Sequence, residues 1–554
     1  MAVRPTSGIT VPGAQLTRRG FLAVGLAGGF ALAACSQDKP ALSGSAQMAA
    51  AIAAAEAARP HSGRTVTASL TAQHVQVDLG GPVVRTLAYG NSIPGAPIRA
   101  RIGDELVVTV SNRLDHPTSV HWHGIALRND IDGAAPATPD IPAGQDFTYR
   151  FSVPNSGTYW AHPHTGLDAD TGLYLPVIVD DPTEGDYDAE WIVVLDDWTD
   201  GIGKSPQQLY QELSSPNKPA PPSAPVSTTT PPTTSTTTTT TTTSETSTTS
   251  ETSTTSSTET STTPTSQTSS SSPTAAASGL ATGRSDLLGG DAGEIAYPYY
   301  LINGRIPAAP MTFSAKPGQR IRIRFINSGS DTSFRVALAG HSMTVTHTDG
   351  YPVVPTQVDA LLVGMAERYD VIVTAADGVF PLVALAEGKN SLARALLSTG
   401  AGSAPDPGFQ PAELNRRVGT VEMFTATTPV NLGRPQPGLN LPVVLGGNMV
   451  QYDWTINGKP YSDTEPLHVR QGERPTLTFD NPTMMYHPIH LHGHTFQLIK
   501  ADGSPGARKD TLMVLPGQKL LAVLVADNPG VWMLHCHNTY HQEAGMQTRL
   551  DYVF

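Results

Sequence analysis

Cys536 stands in the run His535-Cys536-His537, with His541 four residues beyond His537 and Met546 five further on. A thiolate, an imidazole and a weak thioether make up most of the ligand set of a blue-copper electron-transfer site. In an extended strand, alternate side chains point to opposite faces, so Cys536 faces one centre while His535 and His537 face another. Electrons then pass between the two centres through a few covalent bonds. A second centre needs its own ligands, and His121-Trp122-His123-Gly124, His162-Pro163-His164 and His487-Pro488-Ile489-His490-Leu491-His492 supply them, with His494 just beyond. Eleven of the 17 histidines fall in these four clusters. Five His-x-His pairs occur, where fewer than ~1 is expected by chance. Thiolate and thioether suit copper cycling between two oxidation states. The imidazoles alone would also suit zinc, but a tetrahedral zinc site takes four ligands and leaves most of these histidines unexplained.

Short alternating runs position these residues. Arg101–Val110, Phe147–Val153 and Arg320–Phe325 read as strands, separated by turn signals such as Asn155-Ser156-Gly157. Abundant Gly and Pro with only 15% charged residues fit an all-β chain rich in turns. At 554 residues there is room for three domains of ordinary size. The net charge of −13 argues against a nucleic-acid partner. Of the two cysteines, one is Cys536, so no structural disulfide is expected and stability must come from the core and the metal.

The other cysteine belongs to the N-terminus. Thr17-Arg18-Arg19-Gly20-Phe21-Leu22 reads as a twin-arginine export signal, followed by an apolar stretch from Phe21 to Ala34 that is short for a membrane span. It ends in Leu32-Ala33-Ala34-Cys35, which is similar to a bacterial lipobox. Residues 1–35 are therefore expected to be a signal, Cys35 a lipidated membrane tether, and residues 36–60 a spacer, in a protein of the cell envelope. Ordinary cleavage beside an incidental cysteine is the alternative. Residues 216–284 are expected to be a disordered Ser/Thr/Pro-rich insert, because that composition cannot bury enough apolar surface to fold. It reads as a tolerated insertion or as an O-glycosylated segment.

The four clusters, in this order and at these separations, resemble the signature of the multicopper oxidases. That family includes laccases, ascorbate oxidase, ceruloplasmin-type ferroxidases and bacterial copper-tolerance oxidases. The resemblance covers nearly all of residues 60–554. It implies three consecutive cupredoxin-like β-sandwich domains: domain one over residues 61–215, domain two over 285–427, domain three over 438–554. It implies four copper ions. His487, Cys536 and His541 match the type 1 ligands, with Met546 axial. His121 and His490 match the type 2 ligands. His123, His162 and His537 match one type 3 copper, and His164, His492 and His535 the other. All ligands lie in domains one and three, which places the trinuclear cluster at their interface, with domain two holding them in register.

The activity so implied is one-electron oxidation of a small reductant at the type 1 copper, coupled to four-electron reduction of dioxygen to water. His487 or His541 is expected to offer an exposed ring edge for electron entry. Four protons are consumed, and Asp132, in the loop Asn129–Gly133, stands where the family has an acid. An Asp before Gly also simply forms turns. Gln542 stands where the family often has a Glu, leaving Glu543 as a second candidate. A methionine axial ligand implies a modest potential, sufficient for Cu(I), Fe(II) or easily oxidised phenols. Met485 falls two residues before His487, a spacing that puts both on one face of an extended chain and makes Met485 a candidate Cu(I) landing point. Copper-efflux oxidases have a methionine at this spacing, but also an Asp where this chain has Thr483. Packing in the core is the bland reading of Met485. The favoured expectation is a monomeric cuprous oxidase of copper tolerance. The alternatives are a laccase-like oxidase of phenols or pigments and a metal-free cupredoxin scaffold. The complete ligand set argues against the last.

Overall fold

The computed structural model describes residues 41–181, 185, 187–216, 279–280 and 283–554. The twin-arginine run, Cys35 and most of the Ser/Thr/Pro-rich insert lie outside the described residues.

Three pairs of packed sheets follow one another along the chain. In the first, Val83–Tyr89, Thr65–Asp78, Glu105–Asn112 and Asp146–Ser152 form one sheet, and Ile98–Arg101, Leu175–Asp180, Gly157–His162 and His121–His123 the other. The predicted strand over Arg101–Val110 is broken in two by a turn at Gly103, whose φ of +81° is open to glycine and costly for other residues. The third pair joins a six-stranded sheet to a five-stranded one in which Leu467–Val469, Gln547–Tyr552, Val531–Cys536, His487–Leu491 and Thr511–Val514 lie side by side.

The second pair differs from expectation at its boundary. Ala189–Trp198 pairs in parallel with Arg320–Asn327 and antiparallel with Tyr299–Ile302, so it belongs to the second sandwich, although residues 61–215 were assigned to domain one. The low-complexity stretch is therefore an insertion within the second sandwich, not a link between domains. Composition marks the stretch but carries no record of which sheet the preceding strand joins. The expected spacer also contains structure. Ala41–Ala58 is an α-helix, as an Ala-rich run favours. Its end is tied to both outer domains: Arg59 donates to the Ala126 carbonyl (3.1 Å) and to Asn528 Oδ1 (2.9 Å), and Glu56 accepts from the Ser152 amide (3.2 Å).

Alternation along His121–His123 divides two tasks. Trp122 is fully buried in the core of the first sandwich against Tyr149 and Phe151, while the flanking histidines face the other way. Trp122→Ala should therefore lower stability by about 3–5 kcal/mol, the usual cost of a large core cavity, and loosen both histidines with it. Guanidinium unfolding of the metal-free protein checks this; a first transition unmoved by the substitution would contradict the packing.

Candidate metal centre

The strand Val531–Cys536 ends on the cysteine, and its alternation separates two sites. On one side, Cys536 Sγ lies 3.6 Å from His487 Nδ1 and 3.7 Å from His541 Nδ1, and the two nitrogens are 3.1 Å apart. These are the edges of a triangle that a metal with bonds of about 2.0–2.3 Å spans. His487 reaches it from the neighbouring strand His487–Leu491. His541 reaches it from the short helix Thr539–Glu543, whose first amides are capped by the Asn538 side chain. Met546 is fully buried beside them; its carbonyl accepts from the Cys536 amide (3.0 Å) and its amide donates to the His541 carbonyl (2.9 Å).

On the other side, eight imidazoles converge. His164 Nε2 and His492 Nε2 lie 3.2 and 3.1 Å from His535 Nε2. His162 Nε2 lies 3.4 Å from both His123 Nδ1 and His537 Nε2. The outward nitrogens of six rings are committed. His121 Nδ1 donates to the Asp132 carbonyl (3.0 Å), His490 Nδ1 to the Asp510 carbonyl (2.9 Å) and His162 Nδ1 to the Pro163 carbonyl (2.9 Å). His535 Nδ1 donates to the Cys536 carbonyl (2.9 Å), His492 Nδ1 to Asp132 Oδ2 (2.8 Å) and His123 Nε2 to Asp510 Oδ1 (3.1 Å). Each donation fixes the tautomer and leaves a lone pair on the inward nitrogen. Lone pairs then face one another across 3.1–3.4 Å, and the buried Nε2 atoms of His121 and His490 have no hydrogen-bond partner among the described residues. Converging lone pairs repel unless cations lie among them, so the residues present fit a multinuclear metal centre.

Electrostatics favour loading. Burial holds His123, His162, His164, His487, His492, His535 and His537 well below the usual imidazole range, and lowers His490 as well. These rings are neutral and ready to ligate at physiological pH. Burial acts oppositely on the Cys536 thiol and pushes it well above its ordinary value.

Among the sequence-predicted residues, Asp132 sits at the cluster. Its carboxylate contacts His492 while the next residue, Gly133 (φ +85°), lies where a Cβ would overlap the Val120 carbonyl, so it is a turn former and a site residue at once. Two expectations fail. His487 and His541 offer no exposed ring edge, because both are fully buried. His487 Nε2 is covered by Thr483 Oγ1 (2.9 Å), and His541 Nε2 by Glu294 (3.1 Å), with Trp454 packed against the ring. Met485 does not share an open face with His487. The chain bends over residues 483–485, Met485 packs into the core, and the exposed thioether is its neighbour Met484, at 77% exposure. Glu543 is solvent-exposed.

Three buried charged residues were missed. Glu294 accepts from both His541 and Tyr452 (3.1 Å each), and Asp510 and Arg368 stand behind the cluster. Glu294 is some 250 residues from its histidine (|i−j| 247) and gives no local signal. Lys509-Asp510 opening the apolar run Leu512–Val514 was a readable one, since charges at the edge of a buried strand need partners.

An all-β chain of three sandwiches, with a Cys–His₂ triangle bonded through one strand to a cluster of eight imidazoles, defines a multicopper oxidase. Three multicopper oxidase family models match residues 71–184, 189–402 and 434–553, and the chain belongs to that family. It is a copper-dependent oxidase with dioxygen as acceptor. It is similar to the multicopper oxidase MmcO of Mycobacterium tuberculosis, with 67% identity over 99% of both chains. It is also similar to a copper resistance protein A homolog of Pseudomonas syringae, with 28% identity over 86% of this chain and 90% of that one. The crystal structure of a laccase from Botrytis aclada superposes with a TM-score of 0.65 at 22% identity, covering 90% of this chain and 89% of the laccase, which speaks for the fold.

Because metal binding at the triangle must displace the raised Cys536 proton, its copper affinity should climb about tenfold per pH unit between pH 6 and 8. Blue absorbance titrated with copper at each pH measures this. A pH-independent midpoint would mean the thiolate is already formed in the metal-free protein.

Proposed function

We propose that this enzyme is a cuprous oxidase of copper tolerance, oxidising Cu(I), and secondarily Fe(II), in the cell envelope. The observation that carries this reading is the closure of the Cys536 triangle. Both histidines are fully buried beneath Glu294, Tyr452, Trp454 and Thr483, and no ring edge is open for a phenol to dock against. A small cation needs no such edge, and a carboxylate hydrogen-bonded to His541 gives it an oxygen ligand one contact from the triangle. Met484, exposed beside Thr483, adds a soft donor on the His487 side. The copper resistance protein A among the relatives supports the same direction.

His487, Cys536 and His541 would hold the type 1 copper, with the Met546 thioether as a further weak donor. His121 and His490 would hold the type 2 copper. His123, His162 and His537 would hold one type 3 copper, and His164, His492 and His535 the other, giving four in all. Bound there, copper supplies one-electron oxidation of the substrate and four-electron reduction of dioxygen to water. The protein's own groups do the remainder. Glu294 receives the substrate cation and orients His541. Cys536 and its two histidine neighbours give the covalent path between the sites. Asp132 holds the His121 and His492 tautomers and delivers protons from its carboxyl to the dioxygen side.

We further propose export by the twin-arginine signal and lipidation at Cys35; Cys35→Ser should then move the enzyme from the membrane to the soluble fraction on cell fractionation, and an unchanged distribution would reject the anchor. For the substrate, oxygen uptake should give Cu(I) a kcat/KM at least ~10-fold above that of a simple phenol. Glu294→Gln should lower the Cu(I) value by about tenfold, the loss of one charge-assisted contact, while changing the phenol value less. A phenol preference, or equal losses for both substrates, would move the reading to a laccase.

A further inference from the structure

Domain two supplies none of the ligands proposed above, yet one of its side chains reaches the back of the cluster. Arg368, at the start of the strand Arg368–Thr374, is completely buried. Its guanidinium grips Asp510 of domain three with two parallel bonds, Nη1 to Oδ1 at 2.7 Å and Nη2 to Oδ2 at 2.6 Å. Nε donates to the Thr158 carbonyl of domain one (3.0 Å), on the strand that ends at His162. One side chain therefore bonds all three domains.

Asp510 passes the constraint on. Its Oδ1 accepts from His123 Nε2 (3.1 Å) and from Thr511 Oγ1 (2.9 Å), and its carbonyl accepts from His490 Nδ1 (2.9 Å). Asp349 of domain two braces the same place from below. It accepts from the Asp510 and Thr511 amides (3.2 and 3.1 Å) and from the Arg368 amide (2.9 Å), and forms an ion pair with Lys509 Nζ (3.0 Å). The chain makes room for this pair at Gly124 (φ +86°), where a Cβ would fall 2.3 Å from Arg368 Nη2 and 2.7 Å from Asp510 Oδ2. The glycine that follows His121-Trp122-His123 is thus explained by the ion pair behind the histidines.

We propose that Arg368 and Asp510 are positioning residues of the trinuclear centre: the buried pair sets the tautomer and aim of His123 and His490 and so makes domain two part of the cluster's scaffold. This rests on the ligand assignment proposed above. The geometry explains why the guanidinium is needed. Its flat fork matches both carboxylate oxygens while its Nε keeps the Thr158 carbonyl, and an ammonium cannot do all three. Oxygens held this way keep accepting from the histidines, and ligand aim depends on such outer contacts. Among the described residues, His487, Cys536 and His541 make no direct contact with this pair.

The test measures copper per chain, the type 2 electron paramagnetic resonance signal and the blue type 1 absorbance, in the full-length parent and in Arg368→Lys, Asp510→Asn and Arg322→Lys. Arg322 is a control: it too is buried, and it pairs with Asp370 (2.6 Å), which among the described residues bonds to none of the eight cluster histidines. In the parent, full copper content with a type 2 signal is expected; its absence would overturn the ligand assignment and this inference with it. In Arg368→Lys and Asp510→Asn, copper affinity at the cluster should fall about ten- to a hundred-fold while the blue absorbance per chain is kept, with an altered or missing type 2 signal. Arg322→Lys should lower thermal stability without changing the ratio of type 2 to type 1 signal. The positioning role is overturned if the two variants keep the parental type 2 signal and affinity, if both signals fall in proportion, if Arg322→Lys shows the same selective loss, or if Asp510→Asn, a nearly isosteric change, yields no chain able to take up type 1 copper.

Discussion

Eight imidazoles aimed at one another are the constraint on which this structure is built. Left alone, their inward lone pairs repel, and each ring would turn away or take up a proton. Three features prevent that. Burial removes the proton by penalising the imidazolium. Outward acceptors, mostly backbone carbonyls, hold the rings in place. Sheet alternation presents histidines at every second residue with a core residue such as Trp122 or Leu491 between them. The apparent instability of the site is therefore its function, since it is relieved only by metal.

A site made of pieces from two domains also needs those domains immobile with respect to each other, because ligand geometry tolerates errors of a few tenths of an ångström. The buried charges lie where that demand is greatest. Arg324 donates to Thr158 of domain one and to Asp370 (2.9 and 3.0 Å). Asp331 accepts from Asn538 (2.8 Å) in the loop between His537 and His541, and from Lys389 (2.7 Å). Buried ion pairs seldom add net stability over an apolar core of the same shape, but they penalise every wrong arrangement heavily. An all-apolar seam would tolerate sliding. These pairs do not, and they tie the second sandwich to its two neighbours.

The sequence carried the chemistry further than the scaffold. His121, His123, His162, His164, His487, His490, His492, His535, Cys536, His537 and His541 could be named because ligand residues recur at strand spacing within short runs, and spacing of that kind is local. The all-β class followed from alternation, and the three-sandwich architecture from the family resemblance. What escaped was non-local. The strand Ala189–Trp198 looks like any apolar strand, and nothing near it tells which sheet it joins. Glu294 becomes part of the triangle's rim only because the second sandwich folds over the third. Met485 went astray for a different reason: a bend over three residues reverses which methionine is buried, and alternation holds only where the chain is extended.

The two ends of the electron path are built differently, and the difference bears on what each can accept. At the cluster, outward contacts are largely to carbonyls and to carboxylates clamped by Arg368, so the surroundings are rigid. At the triangle, His541 ends on a single glutamate, and His487 on a threonine that also donates to Asn481 Oδ1 (2.7 Å). Both are polar groups one bond from a ligand ring, with an exposed thioether beside one of them. The cluster is thus braced from several sides and the triangle by one polar contact per ring, so altering Glu294 or Thr483 should bear on the reductant proposed above while leaving the cluster's own contacts in place.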